Sequence, residues 1–418
     1  MFDTGNTAFM LVASSLVMLM TPGLAFFYGG LVGRKNVLTI MIQSFVSMGV
    51  TTIIWWAYGY SLCFSGGEGG IIGNLDKVFL NGVTLTTMCP FGSGNIPEFV
   101  FMAYQMMFAI ITPALITGAF ANRVRFGAYL AFLVAWLTFV YFPFVHMVWG
   151  NGLLAKLGVL DFAGGIVVHN IAGMAALASV LYVGRRKSGD SIPHSIPLVA
   201  LGTGLLWFGW YGFNAGSELR VDAVTGLAFL NTDIAASFAG PTWLLLAWIF
   251  EKKPKFLGLL TGAVAGLATI TPCAGYVTPT SAVIIGILSG VVCYMAVNLK
   301  NRLKWDDALD VWGVHGVGGA FGIILLGILA DKSVNAAGAD GLLMGNSGFF
   351  TMQVFTVVAS SIYAFGFTYV MLKVINIFTR VRTTADEEER GLDASLHGET
   401  AYDEAQVMVA IRERQSSF

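Results

Sequence analysis

The sequence predicts an all-α polytopic membrane protein with eleven transmembrane helices, built as an inverted five-helix repeat (spans 1–5 and 6–10) plus an eleventh helix. Three observations carry that prediction. Of 418 residues, 56% are hydrophobic and only 11% charged, against about 25% charged in an ordinary soluble domain. The charges are gathered into clusters, so residues 5–33, 36–67, 126–155, 256–299 and 341–372 contain no Asp, Glu, Lys or Arg. Two histidines recur in matching small-residue settings far apart in the chain, VVHNIAG around His169 and GVHGVGG around His315.

The uncharged runs suit helices, because ~20 apolar residues cross a bilayer, whereas a β-barrel would show alternating segments of ~10 residues. Splitting at charges and at Pro/Gly/Asn clusters places spans at 6–32, 36–64, 97–121, 126–151, 162–184, 196–217, 224–250, 256–273, 279–299, 309–330 and 347–378. The first is a span rather than a cleaved signal peptide, since MFDTGNTAFMLV lacks a basic n-region and its apolar run is too long. The run 256–299 holds two spans, broken at TPCAGYVTPTS.

The basic residues then sort between two faces. Arg34, Lys35, Arg123, Arg125, Arg185, Arg186, Lys187, Lys252, Lys253, Lys255, Lys300, Arg302, Lys304, Arg380 and Arg382 share one; Lys77, Lys156, Arg220 and Lys332 fall on the other. The positive-inside rule makes the first face cytoplasmic. An odd number of spans puts the N-terminus outside and the C-terminus inside. The organisation is a membrane domain over 1–379 and a cytoplasmic C-terminal regulatory tail over 380–418, too short for a catalytic domain. Cys63, Cys89, Cys273 and Cys293 have no metal-like spacing; four free thiols are expected, with a Cys63–Cys89 pair near the outer surface as the alternative. In a polytopic membrane protein the net charge of −1 carries no information about nucleic acid, and no nucleic-acid partner is expected.

Both histidine segments fit V-H-x-x-[AG]-G and lie in spans five and ten. A five-span unit inserted twice must reverse direction, the inverted-repeat logic that places a transport path between two halves. The candidate buried charges are Asp161, His169, Asp310 and His315, and ionisable groups inside a membrane are functional-site hypotheses by default. Neutral imidazole carries one donor and one acceptor, so two adjacent rings bond each other and still present a polar edge to a pore. A metal or bis-His haem site is the competing chemistry, but neither ring brings the further ligands a closed metal site needs. Asp161 opens DFAGG and is expected to cap its helix; Asp310, following Asp306 and Asp307, is placed in the same role. Trp149, Phe108, Phe213 and Ser217 fall near the outer ends of spans four, three and six. Singly, such aromatics are an interfacial belt; together they would form a cation–π cage with a hydroxyl acceptor.

The strings MTPGLAFFYGGLV, FGFNAGS, DFAGGIVVHN, DVWGVHGVGGAFG and GLDASLHGETAY resemble the ammonium transporter (Amt/Mep/Rh) family from the first span into the tail. The resemblance implies a homotrimer with one narrow pore per subunit, no cofactor or metal, and transport rather than enzymatic activity. It implies that Trp149, Phe108 and Ser217 recruit ammonium, that Phe108 and Phe213 gate the pore, and that His169 and His315 are its twin histidines. Asp161 matches the acid near the outer vestibule, Trp210 another pore aromatic, and Tyr104 a position where some members carry Phe. Trp149 and Ser217 favour the Amt branch over the Rh branch. The tail, with Gly391, Asp393, His397 and Glu399, matches a segment that cooperates with signalling proteins of the PII type, in a plasma membrane; no kinase or other appended domain accompanies it.

Physical chemistry constrains the expected mechanism. An intact ion taken into low dielectric costs tens of kcal/mol by Born reasoning, and no fixed counter-charge stands at mid-depth. Binding ammonium outside, removing its proton and conducting ammonia avoids most of that cost. The proton is expected to follow separately by the histidines, so that transport is electrogenic and draws ~2.3 kcal/mol per 100 mV. The alternatives are an electroneutral Rh-like ammonia or carbon dioxide facilitator, and an ammonium sensor acting through its tail.

Overall fold

The computed structural model describes residues 1–187 and 192–402. Among the described residues, ten helices are long and apolar enough to cross a membrane and an eleventh is shorter. They are α1 (Thr4–Leu31), α2 (Arg34–Phe64), α3 (Glu98–Phe120), α4 (Phe126–Lys156), α5 (Gly165–Val183), α6 (Ile196–Glu218), α7 (Ala223–Glu251), α8 (Phe256–Ile270), α9 (Pro279–Arg302), α10 (Trp312–Leu329) and α11 (Ser347–Phe378). Among the described residues there is no strand, only the isolated bridges Met88–Pro97 and Val124–Arg382. Of the predicted tail, residues 403–418 lie outside the described residues.

The helix starts follow from capping chemistry. Asp3 accepts the Asn6 N–H at 2.7 Å to open α1, Asp222 and Thr225 form a capping box on α7, and Asn346 receives Phe349 N–H at 3.0 Å to open α11. Each side-chain oxygen satisfies an N–H that the first helical turn leaves unpaired.

Small residues set the packing. On α1, Gly30 lies so close to Ser195 and Val199 that a Cβ would meet the Ser195 carbonyl oxygen at 2.6 Å, and Gly202 of α6 approaches Phe27 equally closely. Membrane helices gain their contact energy from such close approach, since lipid supplies no hydrophobic drive. The first helix of each five-helix unit therefore pairs with its counterpart.

The eighth span differs from expectation. Its helix has 15 residues, about 22 Å at 1.5 Å per residue, short of the ~30 Å hydrocarbon core. The buried turn after Ile270 completes the path. Asn231 Nδ2 donates to the Ala274 and Val277 carbonyls at 2.9 and 2.8 Å, and Asn335 Nδ2 to Gly275 at 3.1 Å. Irregular backbone at membrane depth survives only where protein satisfies it in this way.

The cysteines are free, as the spacing argument favoured. At the face carrying the N-terminus, the loop after α2 is tied down from beneath. His146 places Nδ1 2.9 Å from the Cys63 carbonyl and Nε2 2.9 Å from that of Gly67, while Glu98 receives the Tyr60 hydroxyl at 2.6 Å and pairs with Lys77.

At the opposite, basic face, buried Arg123 donates to the carbonyls of Ala119, Gly184 and Asp306 at 2.7, 2.6 and 2.8 Å. Residues 380–402 lie across this face. Asp393 receives the Leu38 and Thr39 N–H groups at 3.0 and 2.7 Å, capping the long helical part of α2 from the far end of the chain. Gly391, at φ +94°, sits where a Cβ would meet the Lys35 carbonyl oxygen at 2.7 Å, so both its conformation and its clearance require glycine.

Candidate functional site: an aromatic cavity above paired histidines

The site begins at the mouth beside α3, α4 and α6. Phe108 meets Trp149 edge-on with centroids 5.8 Å apart and lies 4.2 Å from Phe213. The Trp149 indole is aimed by its own N–H, which donates to the Asp161 carbonyl at 2.9 Å. Phe108 and Trp149, with Ser217 and Gln105, line a cavity of about 250 Å³, and Phe213 stands beneath it against the histidine space. The convergence that the sequence leaves open is thus present.

Ser217 is held in a defined state. Its Oγ donates to the Phe213 carbonyl at 2.9 Å, and the Tyr104 hydroxyl lies 3.2 Å from it while reaching the Phe213 carbonyl at 2.8 Å. With its proton committed to a carbonyl, the serine oxygen is left with acceptor capacity. At Tyr104, where the resemblance allows Phe, the hydroxyl makes contacts a phenyl ring lacks.

Beneath Phe213 lie the two histidines. The ring of His169 stands 6.1 Å from Phe213, 5.4 Å from Trp210 and 5.2 Å from His315, near parallel to each at interplanar angles of 25°, 23° and 20°. Their Nδ1 atoms are 3.3 Å apart. One Nδ1 must donate and the other accept, so the rings hold opposite tautomers. One then offers an Nε2 lone pair and the other an Nε2–H. His169 Nε2 has no protein partner. The enclosed space beside the rings measures about 10 Å³, room for roughly one water-sized molecule. Met20, Leu24, Ile111, Leu115, Leu206 and Val264 make the rest of its wall apolar.

Both rings sit on π-helical turns, Gly165–Asn170 and Trp312–Gly316, which widen a helix locally and recur at functional sites. The small residues of the repeated motif explain how the rings meet. A Cβ on Gly173 would lie 2.1 Å from Gly316, and one on Gly319 would lie 2.6 Å from the His169 Cβ. The glycine four residues after each histidine is therefore where the other histidine's helix crosses.

Residues 8–402 match the family model of the Ammonium Transporter Family. The chain belongs to that family. It is 47% identical to an ammonium transporter of Bacillus subtilis over 96% of this chain and 99% of the relative. It is 44% identical to ammonium transporter Amt1 of Archaeoglobus fulgidus over 95% and 99%. The crystal structure of Mep2 from Saccharomyces cerevisiae superposes with a TM-score of 0.88 at 36% identity, covering 96% of this chain and 92% of that one. A sensor Amt protein matches with a TM-score of 0.86 at 32% identity, over 94% and 98%.

The remaining predicted residues of this ammonium transporter take varied positions. Asp161 accepts the N–H groups of Gly164, Gly165, Ile166 and Val167 at 2.6–3.2 Å, so its carboxylate faces a helix start. Asp310 does not cap α10. It sits at φ +58° and pairs with Lys300, while Asp307 takes the Trp312 N–H at 2.7 Å. Three aspartates in five residues hid the choice; spacing reveals it, because Asp161 precedes His169, and Asp307 precedes His315, by the same D-x7-H interval. Thr271, in the turn after α8, was also missed: its hydroxyl receives the Trp210 indole N–H at 2.8 Å and holds that ring against His169. In the tail, His397 meets Phe126 edge-on at 5.3 Å and Glu399 N–H donates to the Asp393 carbonyl at 3.2 Å. Among the described residues, no group of three or more His, Cys, Asp or Glu is placed to hold a metal ion.

Proposed function

We propose that this transporter binds ammonium in the outer cavity, removes its proton there, and passes ammonia through the apolar channel past His169 and His315, with the proton crossing separately by the histidine pair. The observation that carries this reading is the Nδ1–Nδ1 contact of 3.3 Å in a space sized for one small molecule. Phe108 and Trp149 supply cation–π attraction, worth ~2 kcal/mol when desolvated, and Ser217 accepts one N–H. The Phe108–Phe213 pair excludes water and swings aside for a neutral guest. Ammonia then accepts from an Nε2–H and donates to an Nε2 lone pair. One ring takes up a proton at its free Nε2, the shared proton shifts along the Nδ1–Nδ1 contact, and the other ring releases its Nε2–H proton. This exchanges the two tautomers, so the pair relays a proton and ends with no net charge. Each cycle starts as ammonium outside and ends as ammonia plus one proton inside, which recombine.

In the same reading the basic face is cytoplasmic, the assembly is a homotrimer in the plasma membrane, and 380–418 forms a regulatory tail. Gly391, Asp393, His397 and Glu399 set its docked position, which a PII-type protein would sense. A sensory role is the second reading, favoured by the docking of Asp393 onto α2 and by the likeness to a sensor Amt protein.

The test is transient current from proteoliposomes after an ammonium concentration jump, beside a variant with His169→Leu and His315→Leu. A current in the native protein that disappears in the variant is expected. Undiminished current in the variant removes the histidines from the proton's route. Internal alkalinisation without current in the native protein makes transport electroneutral.

A further inference from the structure

The outer cavity holds one polar side chain whose position the packing leaves unexplained. Gln105 is 8% exposed, lines the cavity, and its amide oxygen is buried without a hydrogen-bond partner. It lies one residue after Tyr104, which fixes Ser217, and one helical turn before Phe108. An amide oxygen left unpaired in a protein interior costs free energy, and a glutamine serving only as packing would be replaced at no loss by leucine. The terminal torsion of glutamine is broad and two-fold, so a half-turn exchanges oxygen and NH2 without disturbing the stem.

We infer that Gln105 is a binding residue of the outer site: its amide oxygen turns to the cavity and accepts an N–H from the ammonium that Phe108, Trp149 and Ser217 hold. This rests on the outer-cavity reading above. Ammonium carries four N–H donors at tetrahedral angles. Aromatic faces satisfy its charge but not the direction of its donors; Ser217 meets one, and Gln105 offers a second acceptor from α3. No charged side chain lines this cavity, so both acceptors are neutral. A carboxylate there would hold any cation, whereas two neutral oxygens are too few to replace the hydration shell of an alkali ion. Gln105 thus adds recognition of N–H geometry to a cage that otherwise recognises charge.

The experiment measures ammonium uptake by proteoliposomes carrying Gln105→Leu, Gln105→Glu and Trp149→Leu, with each variant checked for native size by gel filtration. For Gln105→Leu the KM should rise about tenfold, the magnitude of one lost hydrogen bond to a charged group, while maximal uptake stays within about twofold. Gln105→Glu keeps the acceptor, so its KM should equal or fall below the native value. If Gln105→Leu leaves KM unchanged while Trp149→Leu raises it, the cavity is the site and Gln105 is not part of it. If Gln105→Glu loses affinity as Gln105→Leu does, the residue serves packing alone and the inference fails. An unchanged KM in Trp149→Leu overturns the outer-cavity reading itself.

Discussion

The helices carrying His169 and His315 enter from opposite faces and begin alike, each with an aspartate in the D-x7-H interval, yet the two starts are stabilised differently. Asp161 receives four backbone N–H groups and makes no ion pair among the described residues. Asp307 receives the Trp312 N–H, leaves Oδ1 without a partner, and lies in a group with Lys300 and Asp310. Backbone dipoles alone balance the carboxylate beside the aromatic cavity, while a lysine helps balance the one at the basic face. The difference teaches where a cation is tolerated. A lysine beside the outer cavity would repel an arriving ammonium ion, whereas at the inner end the guest is proposed to be neutral ammonia. Equal folds can thus be capped by unequal chemistry when charge matters on one side only.

The strongest way to break the resemblance between the halves is to block the crossing that both share. Gly173→Val and Gly319→Val each place a branched side chain where backbone or the His169 Cβ lies closer than van der Waals contact. Overpacking costs ~1–3 kcal/mol even where neighbours can shift, and here the neighbour is backbone. Ammonium uptake should fall by more than tenfold, with a lower yield of protein of native size by gel filtration. Full uptake in Gly319→Val would show that close crossing is not what sets the ring contact.

A smaller effect sharpens the contrast between the caps. Asp161→Ala strands four N–H groups inside the protein, at ~1–3 kcal/mol for each group that finds no water. Its melting temperature in detergent should fall well below that of Asp307→Ala, in which fewer donors lose a partner. Equal losses would erase the distinction drawn above.

The smallest effect concerns pH. Burial raises the pKa of Asp307 to about 6, Asp310 adding to the shift and Lys300 opposing it. Between the ordinary carboxylate value and about 6, the folded protein holds a proton that the unfolded chain has released. Stability therefore declines as pH rises through that window and is flat above it. Asp307→Asn should remove this component, so its melting temperature relative to native protein should be higher at pH 7 than at pH 4.5. A constant difference would mean that Asp307 titrates normally.

Much of the architecture was legible because charge is so costly in hydrocarbon: charge clusters and Pro/Gly/Asn breaks together marked all eleven helices, and the V-H-x-x-[AG]-G repeat marked the two that cross. The short α8 was harder to see, since TPCAGYVTPTS announces a break but not that the turn lies buried and is bonded by Asn231 and Asn335. Phe108, Trp149 and Ser217 could be named, but their convergence depends on how α3, α4 and α6 pack, which no periodicity records. Tyr104 shows a different gap. A residue class predicted its ring, whereas its hydroxyl acts through partners 109 and 113 residues away. Asp310 was preferred to Asp307 because residue type was weighed without the interval that the first histidine helix already displayed.

The carboxylate of Asp393 joins residues 354 and 355 positions apart in the chain. A ribosome adding ~5–20 residues per second makes that stretch in roughly 20–70 s. For that interval the nascent second helix has its start uncapped by this group, beside a membrane that offers few replacement acceptors. Synthesis of the last residues is therefore also the event that finishes one of the first helices, and a chain cut short before Asp393 carries an incomplete beginning as well as an incomplete end.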